Sequence, residues 1–332
     1  MTPGWCRLES VPELPEVHAL AADLDRRLAG GVVDRLDVTA FAALKTFDPP
    51  ASALHGMTVA DVGRHGKFLD LRLVPAAEAA SSGGADSPDD APSGNGELHL
   101  VIHLARAGWI RWREAAPVPA ARPRGRSAGP LAARLVLQRS VLDDGTALEA
   151  GAGIDITEAG TKKSLAIWVV RHPVEVPGIA SLGPDPLAPE FTEDVLAGIL
   201  KAAGRAQLKG VLRSQSRIAG IGNAYSDEIL WAAKMSPFKP ADMPPEDVHV
   251  LYEATQRMLR EALERADGLR ASELKAEKKS NLNVHARFGE PCPRCGDTIR
   301  QVIYADSTFQ YCPTCQTGGK PLADRVLSRL LK

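Results

Sequence analysis

Apolar side chains recur every three or four residues from Pro15 to Leu28, where Val17, Leu20, Leu24 and Leu28 share one face. The spacing predicts an amphipathic helix with Pro15 in its first turn. Beyond it the period falls to two. Lys67-Phe68-Leu69-Asp70-Leu71-Arg72-Leu73 alternates, as do parts of 98–112, 134–142 and 164–170, so residues 30 to about 175 read as a mostly β domain. Two interruptions, 75–97 and 115–130, hold too few large apolar side chains to fold alone and read as flexible loops. From Leu187 the helical period returns, with segments near 192–203, 207–216, 224–234 and 245–266, and Pro184, Pro186 and Pro189 mark the linker. The stretch 285–317 is short, rich in Cys and Pro, and cannot build an apolar core of its own.

At 332 residues and 44% hydrophobic content the chain can bury two cores. No apolar run is long enough to span a membrane and the N-terminus lacks a signal-peptide core, so the expected setting is cytoplasmic, with no membrane partner. The net charge of -1 conceals segregation: Ala76 to Glu97 carries five acids and no base, whereas Lys275 to Lys332 carries ten Lys or Arg against five acids. A polyanionic partner therefore stays open despite the neutral average.

Four cysteines form Cys292-Pro-Arg-Cys295 and Cys312-Pro-Thr-Cys315, separated by sixteen residues, a spacing that fits a zinc ribbon. Each pair sits on a tight turn that aims two thiolates at one point, and four thiolates fill a tetrahedral ion's coordination, so the single Zn2+ expected here is structural. Two disulfides would suit an oxidising compartment, which the sequence does not indicate. Cys6 is left over.

The segment 207–231 places two helices around Ala219-Gly220-Ile221-Gly222-Asn223. Its glycines allow backbone that other residues adopt only at a cost, and they open the next helix start to an anion. The same motif alone also reads as a sharp helical corner. GIGNAYSDEIL after LKGVLRSQS resembles the helix–two-turn–helix of the formamidopyrimidine-DNA glycosylase and endonuclease VIII family. Other segments match in the family's order: Pro12-Glu13-Leu14-Pro15-Glu16-Val17, His65-Gly66-Lys67-Phe68-Leu69, Leu182-Gly183-Pro184-Asp185-Pro186-Leu187 and the cysteine ribbon. The resemblance spans Pro12 to Gln316. It implies an α+β multidomain fold: an N-terminal β-sandwich with flanking helices (12–180), a helical domain (187–284) with the helix–two-turn–helix at 207–234, a zinc finger (285–317) and a short tail (318–332).

What the resemblance implies is a monomeric base-excision enzyme that clamps damaged duplex DNA, flips out a nucleotide, removes its base and nicks the strand. Pro12 matches the nucleophilic proline and Glu13 the acid, expected to carry a raised pKa; Glu16 supports them, and Lys67 matches the lysine that grips a lesion-flanking phosphate. Lys209 and Asn223 match a phosphate-gripping pair. His103, Arg106, Lys162 and Lys163 stand where the family meets DNA, but with departures. His103-Leu104-Ala105-Arg106 replaces His-Leu-Gly-Met, removing the methionine wedge, and Lys162-Lys163-Ser164-Leu165 replaces Arg-Arg-Phe-Gly. Arg106 or Leu165 would have to take over those roles. Ser307 stands where the family's finger carries an arginine, and the basic stretch 272–287 stands where oxidised-guanine specialists have a lesion-covering loop.

The changed wedge favours a second reading, a catalytically silent DNA binder of the same fold, and so does the leader, because Pro12 follows Val11 in an amide whose nitrogen has no basic lone pair. Val11 aligns with the family's initiator methionine, and bacteria also start translation at valine codons. The expectation is a native chain that begins at Pro12, with residues 1–11 absent. A third reading, a zinc-ribbon interaction module, leaves the Pro12–Val17 and GIGN segments unexplained.

Overall fold

The computed structural model describes residues 11–76, 96–114, 130–142, 145–159, 162–303 and 308–322. The leader apart from Val11, most of both interrupting segments, Cys6, Ser307 and the end of the tail lie outside the described residues. Helix α1 (Leu14–Leu28) opens the fold. Strands follow: β1 (Val33–Val38), β2 (Met57–His65), β3 (Phe68–Pro75), β4 (Leu98–His103), β5 (Gly108–Arg113), β6 (Leu131–Leu137), the short β7 (Ser140–Val141) and β8 (Ala147–Leu148), β9 (Gly153–Glu158) and β10 (Ala166–Val170). Eight of them build two four-stranded antiparallel sheets, in the orders β1-β6-β9-β5 and β10-β4-β3-β2, and β7 pairs with β8 alone.

The period-two pattern accounts for the sandwich. Leu69, Leu71 and Leu73 of β3, Leu100 and Ile102 of β4, Leu135 of β6 and Ile154 and Ile156 of β9 are fully buried in one core. The predicted helical stripe of Val17, Leu20, Leu24 and Leu28 enters that same core. Each such side chain contributes roughly 1.5–3 kcal/mol on leaving water. Helix α1 is therefore held rigidly, and its N-terminus projects toward the second half of the chain.

That half follows the turn α2 (Pro177–Ala180) as α3 (Glu193–Ala203), α4 (Leu208–Arg213), α5 (Asn223–Ala232) and α6 (Pro245–Ala266), joined through Leu196, Leu200, Leu212, Ile221, Ile229, Leu251 and Leu259. Each predicted helical segment corresponds to one of these helices. The stretch 272–287 differs from the expected loop, since it contains α7 (Leu274–Asn281), which packs on α1 with Leu274 in the first core. A hairpin of β11 (Arg300–Ile303) and β12 (Thr308–Tyr311) and the turn α8 (Pro313–Thr317) complete the ribbon. The α+β organisation read from the sequence is the one observed.

Candidate active site at the junction of the two domains

Three segments distant in sequence meet at the N-terminus of α1. Pro12 is buried there, and Glu13 is 1% exposed. The Glu13 carboxylate accepts hydrogen bonds from the backbone N–H groups of Gly222 (2.6 Å), Ala224 (2.8 Å) and Tyr225 (3.2 Å), the free donors at the start of α5. Gly222 is required by this approach: a Cβ there would lie 2.4 Å from the Glu13 Cδ. Gly220, at φ +85°, likewise leaves room only for Leu14, whose N–H donates to the Gly220 carbonyl at 3.1 Å. The glycines expected to admit a phosphate thus admit the start of α1, Gly222 the Glu13 carboxylate and Gly220 the Leu14 side chain.

The electrostatics of Glu13 differ from the expected raised pKa. Burial pushes its carboxyl up, but Lys278, Lys67 and the Ala224 N–H outweigh burial and hold it below the usual carboxylate range. Glu16 is the carboxyl that is raised, by burial against the opposing effect of Lys278. It accepts from the Glu13 N–H (2.8 Å), the Tyr225 hydroxyl (2.7 Å) and the Lys278 ammonium (2.6 Å). Burial, with Glu16 beside it, pushes the Tyr225 phenol well above its ordinary value.

Lys67 follows the β2–β3 turn and donates to the Ile221 carbonyl at 3.1 Å. Gly66 of that turn approaches Ala219, and Arg64 pairs with Asp185 of the linker at 2.5 Å, so the turn is seated on the helical corner. Burial lowers the Lys67 amine, opposed by Glu13. His103 ends β4 opposite Phe68, their rings 4.6 Å apart, and burial together with the Lys67 charge brings its pKa to about 4.

Lys209 and Asn223 are placed otherwise than a phosphate-gripping pair. Lys209 is 4% exposed and donates to Asp227 (2.6 Å), Ser226 (2.8 Å) and the Asn223 carbonyl (3.1 Å), so it faces inward and joins α4 to α5. Asn223 donates its side-chain amide to the Thr308 carbonyl at 2.7 Å, while its buried Oδ1 has no partner among the described residues. Arg106 and Lys162 are exposed, and Lys163, also exposed, donates to the Glu158 carbonyl at 2.5 Å. Ala105 keeps a left-handed φ of 52°, the conformation that a glycine would occupy more cheaply. Leu165 is 2% exposed and belongs to the sandwich core, so it is not available as a substitute wedge.

The sequence reading missed Lys278. At 2% exposure it reaches from α7 to Glu16, to the Val11 carbonyl at 3.1 Å and over the Tyr225 ring at 4.8 Å. Its signal was the helical interval from Leu274 to Lys278, which puts both residues on the face turned to α1.

The four cysteines converge, their sulfurs all within 4.8 Å of one another, including Cys295–Cys312 at 3.4 Å and Cys292–Cys315 at 3.9 Å. A tetrahedral ion with metal–sulfur bonds of about 2.3 Å requires sulfur–sulfur edges of about 3.8 Å, so the donor set fits such an ion. Burial raises the Cys292 thiol, but the Trp231 indole N–H at 3.4 Å and the N–H groups of Arg294 and Cys295 bring it down to about 7, toward the thiolate a metal needs.

His103 gives the site a pH signature. Its folded pKa of about 4 lies below the unfolded value near 6.5, so from pH 6.5 downward the unfolded chain takes up a proton that the folded chain refuses. Stability should fall across that window by on the order of 2–3 kcal/mol and change no further through this group below pH 4. In His103→Phe, urea unfolding at pH 7 and pH 4.5 should show a smaller acid loss than in the parent; an equal loss would place the titration elsewhere.

Family models for the formamidopyrimidine-DNA glycosylase N-terminal domain and H2TH domain match residues 11–143 and 182–273. The formamidopyrimidine-DNA glycosylase of Symbiobacterium thermophilum is 31% identical over 326 residues, covering 92% of this chain and 89% of that one. That of Chloroflexus aurantiacus is 31% identical over 318 residues, covering 92% and 98%. A formamidopyrimidine-DNA glycosylase-like protein of Mycobacterium tuberculosis is 55% identical over 153 residues, 46% of this chain and 95% of that one. Among solved structures, MutM (Fpg) of Thermus thermophilus superposes with a TM-score of 0.67 at 26% identity, covering 93% and 100%. Lactococcus lactis Fpg, non-covalently bound to DNA containing an AP site, gives 0.70 at 22% identity, covering 92% and 99%. With both domain models matched in order and full-length relatives at this identity, the chain belongs to the formamidopyrimidine-DNA glycosylase (Fpg/MutM) family.

Proposed function

We propose that the protein excises a damaged base and then cleaves the strand at the resulting abasic site through an imine on Pro12. The observation that carries this reading is the seating of Pro12-Glu13 on α5 beside Lys67 and Lys278, in a chain of a glycosylase family. With residues 1–11 removed, Pro12 presents a secondary amine. The neutral amine's lone pair bonds to the sugar C1′ as the glycosidic bond breaks and its electrons leave with the base; the N–H proton of the ammonium so formed passes to the ionised Glu13, and the base anion takes a proton from solvent. Glu13 returns its proton to the ring oxygen as the sugar opens to the iminium. Loss of a C2′ proton with departure of the 3′ phosphate then cuts the strand.

The lowered pKa of Glu13 suits this order, since a resting carboxylate receives before it gives. Lys67, together with the exposed Arg106 and Lys162, supplies positive charge for the backbone of damaged duplex DNA, a partner in keeping with the AP-site DNA bound by the Lactococcus lactis relative. Lys209 and Asn223 act indirectly, by fixing the corner. Cys292, Cys295, Cys312 and Cys315 hold one structural Zn2+, which supplies the ribbon with the cross-link its small core lacks. Elemental analysis of protein purified without chelator should return one zinc per chain, and none in Cys292→Ser; a zinc-free parent would remove the metal from this picture.

The amide at Pro12 favours the silent reading for the 332-residue form, so the start residue separates the two readings. Borohydride should trap a protein beginning at Pro12 on abasic duplex DNA, whereas the 332-residue chain should bind without trapping. Trapping by the long form would transfer the nucleophile to a lysine. With the methionine wedge absent and Leu165 in the core, excision of 8-oxoguanine opposite cytosine should be weak; efficient excision with strong discrimination by the opposite base would show that Arg106 replaces the wedge.

A further inference from the structure

Lys278 is a buried cation that the chemistry above leaves without a role. Its Nζ lies 2.6 Å from Glu16, 4.0 Å from Glu13 and 3.1 Å from the Val11 carbonyl oxygen. The oxygen and nitrogen of one amide are about 2.3 Å apart, so the Pro12 nitrogen is at most about 5.5 Å from this ammonium. The charged and titratable groups that act on Glu13, Glu16, Lys67 and Tyr225 are these four residues themselves, Lys278 and Glu277 on α7, Arg213 on α4 and His285 after α7. Of the cations among them, Lys278 is the one hydrogen-bonded to the Val11–Pro12 peptide group itself.

We propose that Lys278 is a positioning residue that keeps the Pro12 amine unprotonated at neutral pH by placing a fixed positive charge beside it. The proposal rests on Pro12 being the nucleophile. A free α-amine would otherwise be largely an ammonium ion below about pH 8, with no lone pair to attack C1′. A like charge a few ångströms away in a site with little water disfavours that protonated form. The proton lost goes to solvent, and the amine keeps the electron pair. The buried ion pair explains how the charge is maintained: Glu16 accepts from Lys278 and is itself fixed by Tyr225 and by the Glu13 N–H, so the ammonium cannot swing into solvent. Glu16 thereby acts on the amine through Lys278, beyond complementing the α1 dipole.

The test compares the chain beginning at Pro12 with its Lys278→Met and Lys278→Arg variants. One readout is the pH dependence of single-turnover borohydride trapping on an abasic duplex. The other, without DNA, is the pH dependence of reductive methylation of the N-terminal amine by formaldehyde and cyanoborohydride, followed by mass spectrometry of the N-terminal peptide. Lys278→Met should move both midpoints up by about one unit or more, a tenfold loss of trapping on the acid limb, while Lys278→Arg stays within a few tenths. A merely structural lysine would alter stability or amplitude and leave the midpoints in place, which overturns the proposal. If Lys278→Met fails to fold, Lys278→Gln, which keeps a hydrogen-bond donor toward Glu16 without the charge, should still raise the midpoints; unchanged midpoints there also overturn it. Should the parent never trap, the nucleophile reading falls, and methylation alone decides what Lys278 does to the amine.

Discussion

One buried carboxylate fixes the geometry on which the candidate site depends. Glu13 leaves α1 and ends on three backbone N–H groups at the start of α5, so it belongs covalently to the sandwich half and electrostatically to the helical half. An ionised group at 1% exposure is costly unless every acceptor position is met by donors and nearby cations, and here the donors come from a helix whose dipole already favours negative charge. The cost makes the junction specific. Sliding α5 by one residue would strand the charge, at several kcal/mol, and a side chain at position 222 would displace it. Pro12 inherits its position from this contact, being the neighbour of a residue that has nowhere else to go.

Helix α5 carries the constraint outward. Its first turn receives Glu13; its middle carries Asp227 and Glu228, both fully buried; its last turn carries Trp231. Asp227 binds Lys209, His285 and the Gln310 N–H, and Glu228 accepts from the backbone of Asn283, Val284 and His285. Trp231 donates to Cys292. One ten-residue helix therefore touches the Glu13 carboxylate at one end and the cysteine cluster at the other, with the segment following α7 strapped between them.

The period of the apolar positions was enough to find α1, the alternating strands and α3 to α6, because each buries a face against a large core and so writes that face into the sequence. Cysteine spacing announced the cluster for a similar reason: a metal site made of two tight turns is local in sequence. The role of Lys278 was not legible, because its partner Glu16 lies 262 residues away; the interval from Leu274 can place the lysine on an inward face but cannot name what it meets there. Lys209 misled in the opposite direction. A lysine in a DNA-binding motif reads as a phosphate ligand until the fold shows Asp227 beneath it. The pKa of Glu13 was hidden for the same reason, since its direction is decided by Lys278 and Lys67 and by donors on α5, none of them neighbours in the chain.

The turn after β4 shows which parts of the family's pattern are shape and which are chemistry. Ala105 keeps the left-handed backbone that a glycine would adopt without strain, a cost of the order of 1 kcal/mol, so the turn's geometry persists although the residue that eases it has changed. The side chain presented next to it is no longer apolar. An arginine cannot plug a gap in stacked bases as a dry hydrophobe would, because its guanidinium must remain hydrated, paired with a phosphate or stacked on a base face. Leu165, the apolar alternative weighed from the sequence, is committed to the core, where the N–H groups of Ser164 and Leu165 are tied to the Glu158 carboxylate. The turn after β4 thus presents a charged planar group beside a left-handed backbone, where the family's pattern has a methionine beside a glycine.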